Sequence, residues 1–370
     1  MMIAGEVSGD MHGSGVVREL KRLNPGIHLF GVGGRMMESE GMEINHHVDS
    51  LSVMGFAEVI RHLPDIRRIE RSLGQLLEER RPEIVVLIDY PGFNLRFARR
   101  VKKAGIPVLY YISPQVWAWK PGRVKKIRSL VDQVNVVFRF EVEIYENAGV
   151  PVRFVGHPLL ERLAPTGSRE DFFARHRLDP DRKVVGLFPG SRVQEVKRIL
   201  PTMVAAARKI RESHDARIAL GASSGFTPEW IRSFLGGADD ITIIQNATYG
   251  LMEHADVAMV TSGTATLETA WYGTPMVIVY RTSPVTYLLG RMLVNIPHIG
   301  LVNIVRGRKV VPELIQGGCT VSALTAAVRE ILTDTRYAQT MREELSKVKQ
   351  QLGAPGASEN VARNIIALAP

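Results

Sequence analysis

Short runs of branched aliphatic residues, each followed by a turn and a helical pattern, constrain the fold of this chain more than any other feature. The clearest run is Ile84–Ile88, and a helical pattern follows it over Phe93–Lys103. Uninterrupted apolar runs of this length are typical of strands buried on both faces of a parallel sheet. Similar runs at Val108–Tyr111 and Val134–Phe138 continue the alternation, which indicates βαβ units and a doubly wound α/β sheet.

The same alternation restarts in the second half of the chain, after the proline- and glycine-rich segment Gly156–Ser168. A new buried-strand pattern, Val184–Phe188, is followed by the amphipathic helical pattern Gln194–His214. The later strand patterns are Ile218–Leu220, Ile241–Ile244, Val257–Val260 and Met276–Val279. We therefore predict two Rossmann-like, doubly wound parallel-sheet domains, one formed by residues 1–163 with 354–370 and the other by residues 164–353.

The composition excludes several classes of protein. With 45% hydrophobic and 23% charged residues among 370, the chain is neither disordered nor a disulfide scaffold, and its single cysteine, Cys319, cannot form an intrachain disulfide. No apolar run approaches the ~20 residues that cross a bilayer, and no signal-peptide pattern opens the chain, so we expect a protein that stays inside the cell. Because the opening run Met1–Ala4 is short for a central strand, we expect the natural strand to extend further upstream.

The charge balance predicts an anionic partner. The formal net charge is +9 and the sequence pI is about 9.7. Nucleic acid, an anionic membrane surface and a phosphorylated substrate would each suit such a surface, and composition alone leaves the three open.

Two turns of the second half predict a nucleotide site. Ligands of doubly wound sheets bind beyond the carboxyl ends of the strands, and Pro189–Arg192 follows such a strand with a flexible glycine, a capping serine and an arginine that fits phosphate. Thr261–Glu268 follows another strand with small hydroxyl residues at a helix start, where anions are stabilised, and Glu268 could accept hydrogen bonds from a ribose diol. Each turn could alternatively be a capped helix start, but together they favour a nucleoside diphosphate.

The candidate residues of the first half are more ambiguous. The turns Gly5–Asp10 and Gly31–Gly34 both depart from the dinucleotide-binding glycine pattern, so they are as consistent with tight turns in which Ser8 or Asp10 caps a helix. Asp89 ends the run Ile84–Ile88, where a carboxylate is placed either for general base work or as the N-cap of the following helix.

Basic and aromatic residues cluster in the first domain. Residues 96–103 and 120–128 contain arginines and lysines without an acid, and Trp117 and Trp119 precede the second stretch. This pattern suits a membrane interface or a stacking surface for bases, and solvated basic helices with buried tryptophans would produce it too. We favour an anionic surface. Asp179–Asp181 formally matches the Asp-x-Asp pattern of metal-dependent sugar transferases, but it precedes the strand pattern Val184–Phe188, at the wrong end of the sheet for a site, and we interpret it as a loop. The chain has no Cys/His cluster and no Walker lysine, so we expect no metal and no cofactor.

The motifs, in this order, are highly specific. The chain resembles the lipid-A-disaccharide synthase family, bacterial glycosyltransferases of the two-domain GT-B type, along essentially its whole length. The matching motifs are Gly5–Asp10, Val53–Val59, Ile88–Asn94, Ser113–Arg123, Phe154–Pro158, Phe188–Arg192, Ser262–Glu268, Leu301–Arg308 and Val311–Gln316.

The resemblance implies a reaction and an architecture. UDP-2,3-diacylglucosamine and 2,3-diacylglucosamine 1-phosphate would give the β-1,6-linked lipid A disaccharide 1-phosphate and UDP, with inversion and without a metal. Two domains would face a central cleft, the first binding the acceptor and the membrane and receiving the last helix of the chain, the second binding the UDP-sugar. The protein would be peripheral on the cytoplasmic face of the inner membrane, and a homodimer is a further implication.

The resemblance also assigns residues by position. The catalytic set would be Asp89 as base for the acceptor 6-hydroxyl, Arg192 at the pyrophosphate and Asn303 as an essential asparagine. The donor-binding set would be Gly190, Ser191, Arg192, Ser262, Gly263, Thr264 and Glu268. The turn residues Glu6, Ser8, Gly9 and Asp10 would line the acceptor side. A lipid or membrane edge would comprise Trp117, Trp119, Lys120 and Arg123.

Two alternatives stay open at this point. A UDP-N-acetylglucosamine epimerase shares the expected architecture and would act on a soluble donor alone. A basic nucleic-acid-binding protein would explain the charge, but no recognised nucleic-acid motif is present, so we expect no nucleic acid partner.

Overall fold

The chain forms two compact units in a computed structural model. The structure describes residues 1–51, 63–119, 122–237, 240–294 and 296–370, and for Leu63, Leu289 and Leu293 only the backbone. The Val53–Val59 motif and Lys120 lie outside the described residues. Unit 1 consists of Met1–Glu161 with Leu352–Pro370, and unit 2 of Arg162–Gln351.

Unit 1 is built on a seven-stranded parallel sheet with the order β3-β2-β1-β4-β5-β6-β7. Its strands are β1 Met2–Ala4, β2 Phe30–Gly33, β3 Glu43–His47, β4 Val85–Ile88, β5 Val108–Tyr111, β6 Gln133–Val136 and β7 Val152–Phe154. Its helices are α1 Val7–Leu23, α2 Arg35–Ser39, α3 Leu63–Arg80, α4 Pro91–Lys103, α5 Arg123–Leu130, α6 Glu141–Asn147 and, from the end of the chain, α16 Ala357–Leu368.

Unit 2 is built on a six-stranded parallel sheet with the order β10-β9-β8-β11-β12-β13. Its strands are β8 Val184–Phe188, β9 Arg217–Ala222, β10 Ile241–Gln245, β11 Val257–Thr261, β12 Met276–Tyr280 and β13 Glu313–Ile315. Its helices are α7 Arg169–His176, α8 Val193–His214, α9 Pro228–Arg232, α10 Thr248–His254, α11 Thr264–Tyr272, α12 Pro284–Leu293, α13 Leu301–Arg306, α14 Val321–Thr333 and α15 Thr335–Gln351.

The predicted doubly wound fold class is confirmed. The central strands are the apolar runs of the sequence: β4, β5 and β8 are buried along their whole length. The strands β3, β7 and β13 carry no such run and have half-buried or exposed residues, because each lies at a sheet edge and pairs with one neighbouring strand.

One glycine segment differs from its prediction. Gly31 and Gly33 belong to strand β2 and not to a turn after it. Gly31 has a φ of +140°, and a side chain there would collide with the Met2 carbonyl of the neighbouring strand. Glycine at this position therefore serves the close approach of β1 and β2.

The last helix, α16, packs on α1 in unit 1. Ser358 donates to the Glu161 carboxylate from its backbone N–H at 2.6 Å and from its hydroxyl at 2.7 Å. Asn360 Nδ2 donates to the Val155 carbonyl at 3.0 Å. Gly15 on α1 lies against Ser358 so closely that a β-carbon would clash. The C-terminal segment is thus an integral part of the first unit.

Each sheet reverses its winding direction at one place. The strand order reverses between β1 and β4 in unit 1, and between β8 and β11 in unit 2. Crevices open at the carboxyl ends of strands at such switch points. The residues that follow these four strands are therefore the ones that the fold places for ligand binding.

Candidate functional site

A cavity of about 840 Å³ opens at the switch point of unit 2. The turns after β8 and β11 line it, together with residues after β9, residues of α10, and residues before and in α7. The cavity lining includes every residue of the predicted donor set, namely Gly190, Ser191, Arg192, Ser262, Gly263, Thr264 and Glu268. The structure thus brings together two turns that are about 70 residues apart in the sequence.

The first turn presents an arginine beside an acid. Gly190 has a φ of +99°, and a β-carbon on it would lie 2.5 Å from Oε2 of Glu195. Arg192 is the N-cap residue of α8, and its Nη1 donates to Oε1 of Glu195 at 2.8 Å. The Arg192 side chain is 70% exposed, so most of its donors are available to an anion. Sequence reasoning missed Glu195, although its position three residues after an N-cap is a familiar signal.

The second turn opens helix α11. Gly263 is its N-cap residue, so the first N–H groups of the helix lie at the cavity, where they favour negative charge. The Ser262 hydroxyl donates to the Ile299 carbonyl at 3.0 Å. That donor is therefore engaged inside the protein, and the anion-binding capacity of this turn resides in its backbone rather than in the serine side chain.

Glu268 lies one turn into α11 and is mostly buried. Tyr249, which also lines the cavity, donates its hydroxyl to Oε1 of Glu268 at 3.1 Å. Burial raises the pKa of Glu268, and the Tyr249 hydrogen bond and the Arg162 charge oppose that shift. A buried carboxylate with spare acceptor capacity suits a neutral hydroxyl pair better than a phosphate. Tyr249 was not predicted, because only the fold brings α10 next to α11.

Asn303 lies in the interior of unit 2. Its side chain is fully buried, Nδ2 donates to the Val311 carbonyl at 3.0 Å and to Oε1 of Glu313 at 2.7 Å, and Oδ1 accepts from the N–H groups of Val310 and Val311. All four hydrogen-bonding positions of the amide are occupied. The Asn303 amide is therefore fully engaged within the protein, which a sequence motif could not show.

The switch point of unit 1 holds Asp89 in an unusual backbone conformation. Asp89 and Tyr90 have φ values of +48° and +45°. Asn94 Nδ2 and the Tyr110 hydroxyl both donate to the Asp89 carbonyl, at 2.7 and 2.6 Å. The N-cap of α4 is Tyr90, so the alternative of Asp89 as a helix cap is wrong. Left-handed conformations at non-glycine residues are costly and are held only where the surroundings fix them.

Burial and a neighbouring charge tune the Asp89 carboxyl. Burial, followed by the negative charge of Glu6, raises the pKa of Asp89 to about 6. Glu6 is an exposed residue at the N-cap of α1. Gly5 lies against the Tyr90 ring so closely that a β-carbon would collide with it. The two turns of this switch point are therefore in contact, and one of them carries a carboxyl whose pKa is raised towards neutrality.

The remaining residues of the predicted acceptor turn separate into two groups. Ser8 is exposed, whereas Gly9 is buried against Ala4. Asp10 is 5% exposed, and its carboxylate accepts from the N–H groups of Gly34, Met36 and Met37. The alternative of a helix-capping residue is thus met by Asp10, but at the start of α2 rather than at α1, whose N-cap residue is Glu6.

The predicted lipid edge is only partly exposed. Trp117 donates its indole N–H to the buried Glu141 at 3.1 Å, and burial raises the pKa of Glu141 to about 7. Trp119 is 37% exposed, and the Arg123 guanidinium lies 4.7 Å from its ring centre. Trp117 is therefore an anchor of its loop, whereas Trp119 and Arg123 form an aromatic–cation pair with an exposed ring.

The first acid-free basic stretch meets acids from elsewhere in the fold. Arg96 pairs with Glu70 at 2.8 Å, Arg100 with Glu78 at 2.8 Å and Lys102 with Asp132 at 2.5 Å. The sequence interval without acids therefore overstates the positive charge of helix α4.

Two searches of the described residues give negative findings. No group of three or more His, Cys, Asp or Glu side chains in them could hold a metal ion. No helix in the same residues is long and apolar enough to cross a membrane.

Two such sheets, with a cavity at the switch point of the second, define a fold of the GT-B glycosyltransferase class. Among solved structures, the glycotransferase of kitacinnamycin matches with a TM-score of 0.67 at 17% identity, covering 100% of this chain and 98% of that one. The UDP-GlcNAc 2-epimerase from Neisseria meningitidis, bound to UDP-GlcNAc, matches with a TM-score of 0.66 at 11% identity, covering 99% of both chains. At these identities the likeness concerns the fold alone.

The family follows from the sequence itself. The model of the lipid-A-disaccharide synthetase family matches residues 1–365. The lipid-A-disaccharide synthase of Geobacter sulfurreducens is 46% identical over 364 residues, which cover 98% of this chain and 95% of the relative. The chain belongs to the lipid-A-disaccharide synthetase family, a family of glycosyltransferases. The predicted resemblance is thereby confirmed, and the epimerase alternative retains only a shared fold.

Proposed function

We propose that this chain is an inverting glycosyltransferase that joins UDP-2,3-diacylglucosamine to 2,3-diacylglucosamine 1-phosphate and releases UDP. One observation carries the assignment of the donor: the unit 2 cavity combines an exposed arginine, a helix N-terminus and a buried carboxylate. The arginine and the helix N-terminus suit the pyrophosphate of a UDP-sugar, and the carboxylate suits the hydroxyl groups of its ribose. Family membership supplies the substrates.

The donor contacts follow from this cavity. Arg192 and the first N–H groups of α11 would balance the pyrophosphate, and Glu268 would accept hydrogen bonds from the ribose diol. Gly190 would let the backbone approach the phosphates, since it has no side chain to fill the space in front of Glu195. Asn303 would act at a distance by fixing the segment that ends at Gly300.

The transfer itself needs a base for the acceptor. The acceptor 6-hydroxyl oxygen attacks C1 of the donor sugar, the bond from C1 to the phosphate oxygen breaks, and UDP leaves with that electron pair. Asp89 takes the hydroxyl proton, for which a pKa of about 6 is well suited near neutral pH. Attack opposite the leaving group inverts the configuration and gives the β-1,6 linkage.

The lipid substrates imply a membrane. We place the protein peripherally on the cytoplasmic face of the inner membrane, with Trp119 and Arg123 as a candidate lipid edge in unit 1. A homodimer is proposed on the resemblance alone, and neither nucleic acid nor a cofactor has a part in the reaction.

Incubation of the chain with UDP-diacylglucosamine and its 1-phosphate acceptor in excess EDTA tests the proposal. Product mass should show the tetraacyl disaccharide 1-phosphate, and UDP release should require the acceptor. UDP release from donor alone, or conversion of UDP-N-acetylglucosamine to an epimer, would contradict it. The Asp89→Asn variant is the control, since it should bind UDP and form no disaccharide.

A further inference from the structure

Helix α12 exposes an apolar stripe. Val285, Leu288 and Met292 are 69%, 63% and 75% exposed. Spaced by three and four residues, they lie on one side of the helix. Ser283 caps the helix by accepting the N–H of Thr286 at 3.1 Å, so the stripe belongs to a regular, capped helix.

The stripe stands out from the rest of the described surface. The other large exposed apolar side chains, Val7, Met36, Trp119, Val193 and Ile366, are 37–60% exposed and occur singly on separate elements. Scattered apolar side chains are normal on a protein surface, whereas a continuous stripe marks an interaction site. Three of the most exposed ones on a single ten-residue helix therefore require a partner.

The surroundings of the helix define the charge of that partner. Residues 269–312 contain no Asp or Glu but hold five basic residues, Arg281, Arg291, Arg306, Arg308 and Lys309. Arg306 and Arg308 are paired with Glu344, and Arg281 donates to the Cys319 carbonyl. Arg291 is an exposed cation on α12 itself. Its position in the helix borders the stripe next to Leu288.

We propose that α12 lies in the interface of an anionic lipid bilayer, with Val285, Leu288 and Met292 in the acyl boundary and Arg291 at the phosphates. Such a helix binds by buried apolar area together with attraction to anionic lipid, and a long arginine side chain reaches the headgroups while its stem stays apolar. This inference rests on the proposed function at one point, the choice of a bilayer as the partner, because both substrates of that function carry two acyl chains. A second copy of the chain is the alternative partner for an apolar stripe, and the experiment below distinguishes it by the oligomeric state.

Vesicle binding by the full chain tests this proposal without any substrate. The triple variant Val285→Ser, Leu288→Ser, Met292→Ser is compared with the matched control Met36→Ser, Ile366→Ser, which removes exposed apolar side chains from unit 1. The probes are vesicles of phosphatidylethanolamine with phosphatidylglycerol, and vesicles of phosphatidylcholine alone. We expect the triple variant to bind the anionic vesicles about tenfold more weakly than the wild type, and the control to bind within about twofold of it.

The charge contribution has its own variant. Arg291→Glu should weaken binding to the phosphatidylglycerol vesicles and leave the weak binding to phosphatidylcholine unchanged. UDP affinity and the unfolding temperature should be unaltered in all variants, because the substituted side chains are exposed and line no part of the unit 2 cavity.

Three outcomes would overturn the proposal. The triple variant could bind anionic vesicles as the wild type does, it could lose no more than the control, or it could change the oligomeric state in solution while vesicle binding persists, which would assign the stripe to a second copy. Failure of the proposed function is distinguishable, since no disaccharide would then form with detergent-dispersed substrates in any variant. If both proposals hold, the triple variant keeps activity on dispersed substrates and loses activity on vesicle-borne acceptor.

Discussion

The amide nitrogen Nδ2 of Asn303 lies 2.7 Å from Oε1 of Glu313 and donates a hydrogen bond to it. The same carboxylate accepts the N–H groups of Ile299 and Gly300, and the Ile299 carbonyl in turn accepts the hydroxyl of Ser262 at the cavity. One buried asparagine and one carboxylate thus connect the turn at Gly300 with the wall of the nucleotide site.

This connection predicts the effect of removing Asn303. Asn303→Ala leaves the N–H groups of Val310 and Val311 without their Asn303 partner and removes one of the hydrogen bonds to Glu313, so it should cost about 2–4 kcal/mol of the free energy of unfolding. Thermal unfolding with and without UDP measures this. The matched control is Asn364→Ala, which removes one hydrogen bond of 3.3 Å in unit 1 and should cost less than about 1 kcal/mol. An equal loss of stability in the Asn303→Ala and Asn364→Ala variants would argue against a positioning role for Asn303.

Replacing the proposed base should separate stability from activity. Because the folded-state pKa of Asp89 is raised to about 6 from 3.8, the folded state holds this proton more tightly, and stability is lost as pH rises from about 4 to 6. Above that window the ionised carboxylate costs about 1–3 kcal/mol, a cost that Asp89→Asn removes. The variant should therefore unfold at an equal or higher temperature than the wild type above pH 6 while forming no product. Retained turnover would refute the base assignment.

The pH dependence of the rate should report on Glu6. An ionised base gives a kcat/KM that rises with pH and levels off above a pKa of about 6. Since the negative charge of Glu6 contributes to that raised pKa, Glu6→Gln should move the rising limb to lower pH. Glu38→Gln is the matched control, because Glu38 is exposed and its charge has no part in the shift. An equal shift of the rising limb of the pH profile in both variants would argue against an electrostatic effect of Glu6 on Asp89.

The space at Gly190 should be required for nucleotide binding. Gly190→Ala places a methyl group 2.5 Å from Oε2 of Glu195 and strains a backbone with a φ of +99°, so Glu195 and its partner Arg192 must move. We expect about tenfold or greater weakening of UDP binding by calorimetry, as for the loss of a charge-assisted hydrogen bond. Gly237→Ala has a similar backbone strain at φ +77° in open space and should leave UDP affinity within about twofold. An unaffected Gly190→Ala variant would disprove the close approach.

Glu268 should discriminate between nucleotides that differ in the ribose. Glu268→Gln is expected to weaken UDP binding about tenfold and to change the binding of 2′,3′-dideoxy-UDP little, because only UDP carries the diol. Tyr249→Phe should produce a smaller loss in the same direction, since its hydroxyl bond helps to keep Glu268 ionised. A loss of equal size for both nucleotides would point to a structural role instead.

Much of the fold was predictable because central strands of parallel sheets are continuous apolar runs. Val108–Tyr111 and Val184–Phe188 have the predicted bounds for this reason. The turns at Pro189 and Thr261 were predictable as turns at the carboxyl ends of strands, because position after a strand is a local property of the sequence. Whether a polar side chain faces a ligand or bonds within the protein depends on tertiary packing, which is not a local property of the sequence.

Three residues illustrate that limit. Asp10 bonds to backbone 24–27 residues away, Asn303 shares a carboxylate with Gly300, and Trp117 bonds to a glutamate 24 residues away that has no sequence signal of its own. Their partners are determined by tertiary packing, so a motif could propose them as site residues but could not show that their hydrogen bonds are already taken.

The return of the chain to unit 1 has a consequence for how the protein is made. Unit 2 is contiguous, Arg162–Gln351, whereas α1 packs against α16, which is synthesised last. Synthesis proceeds from the first residue towards the last, so the sheet that carries Asp89 gains its covering helix α16 only after every residue of unit 2 has been added to the chain. Unit 1 is therefore the first unit of the enzyme to be started and the last to be completed.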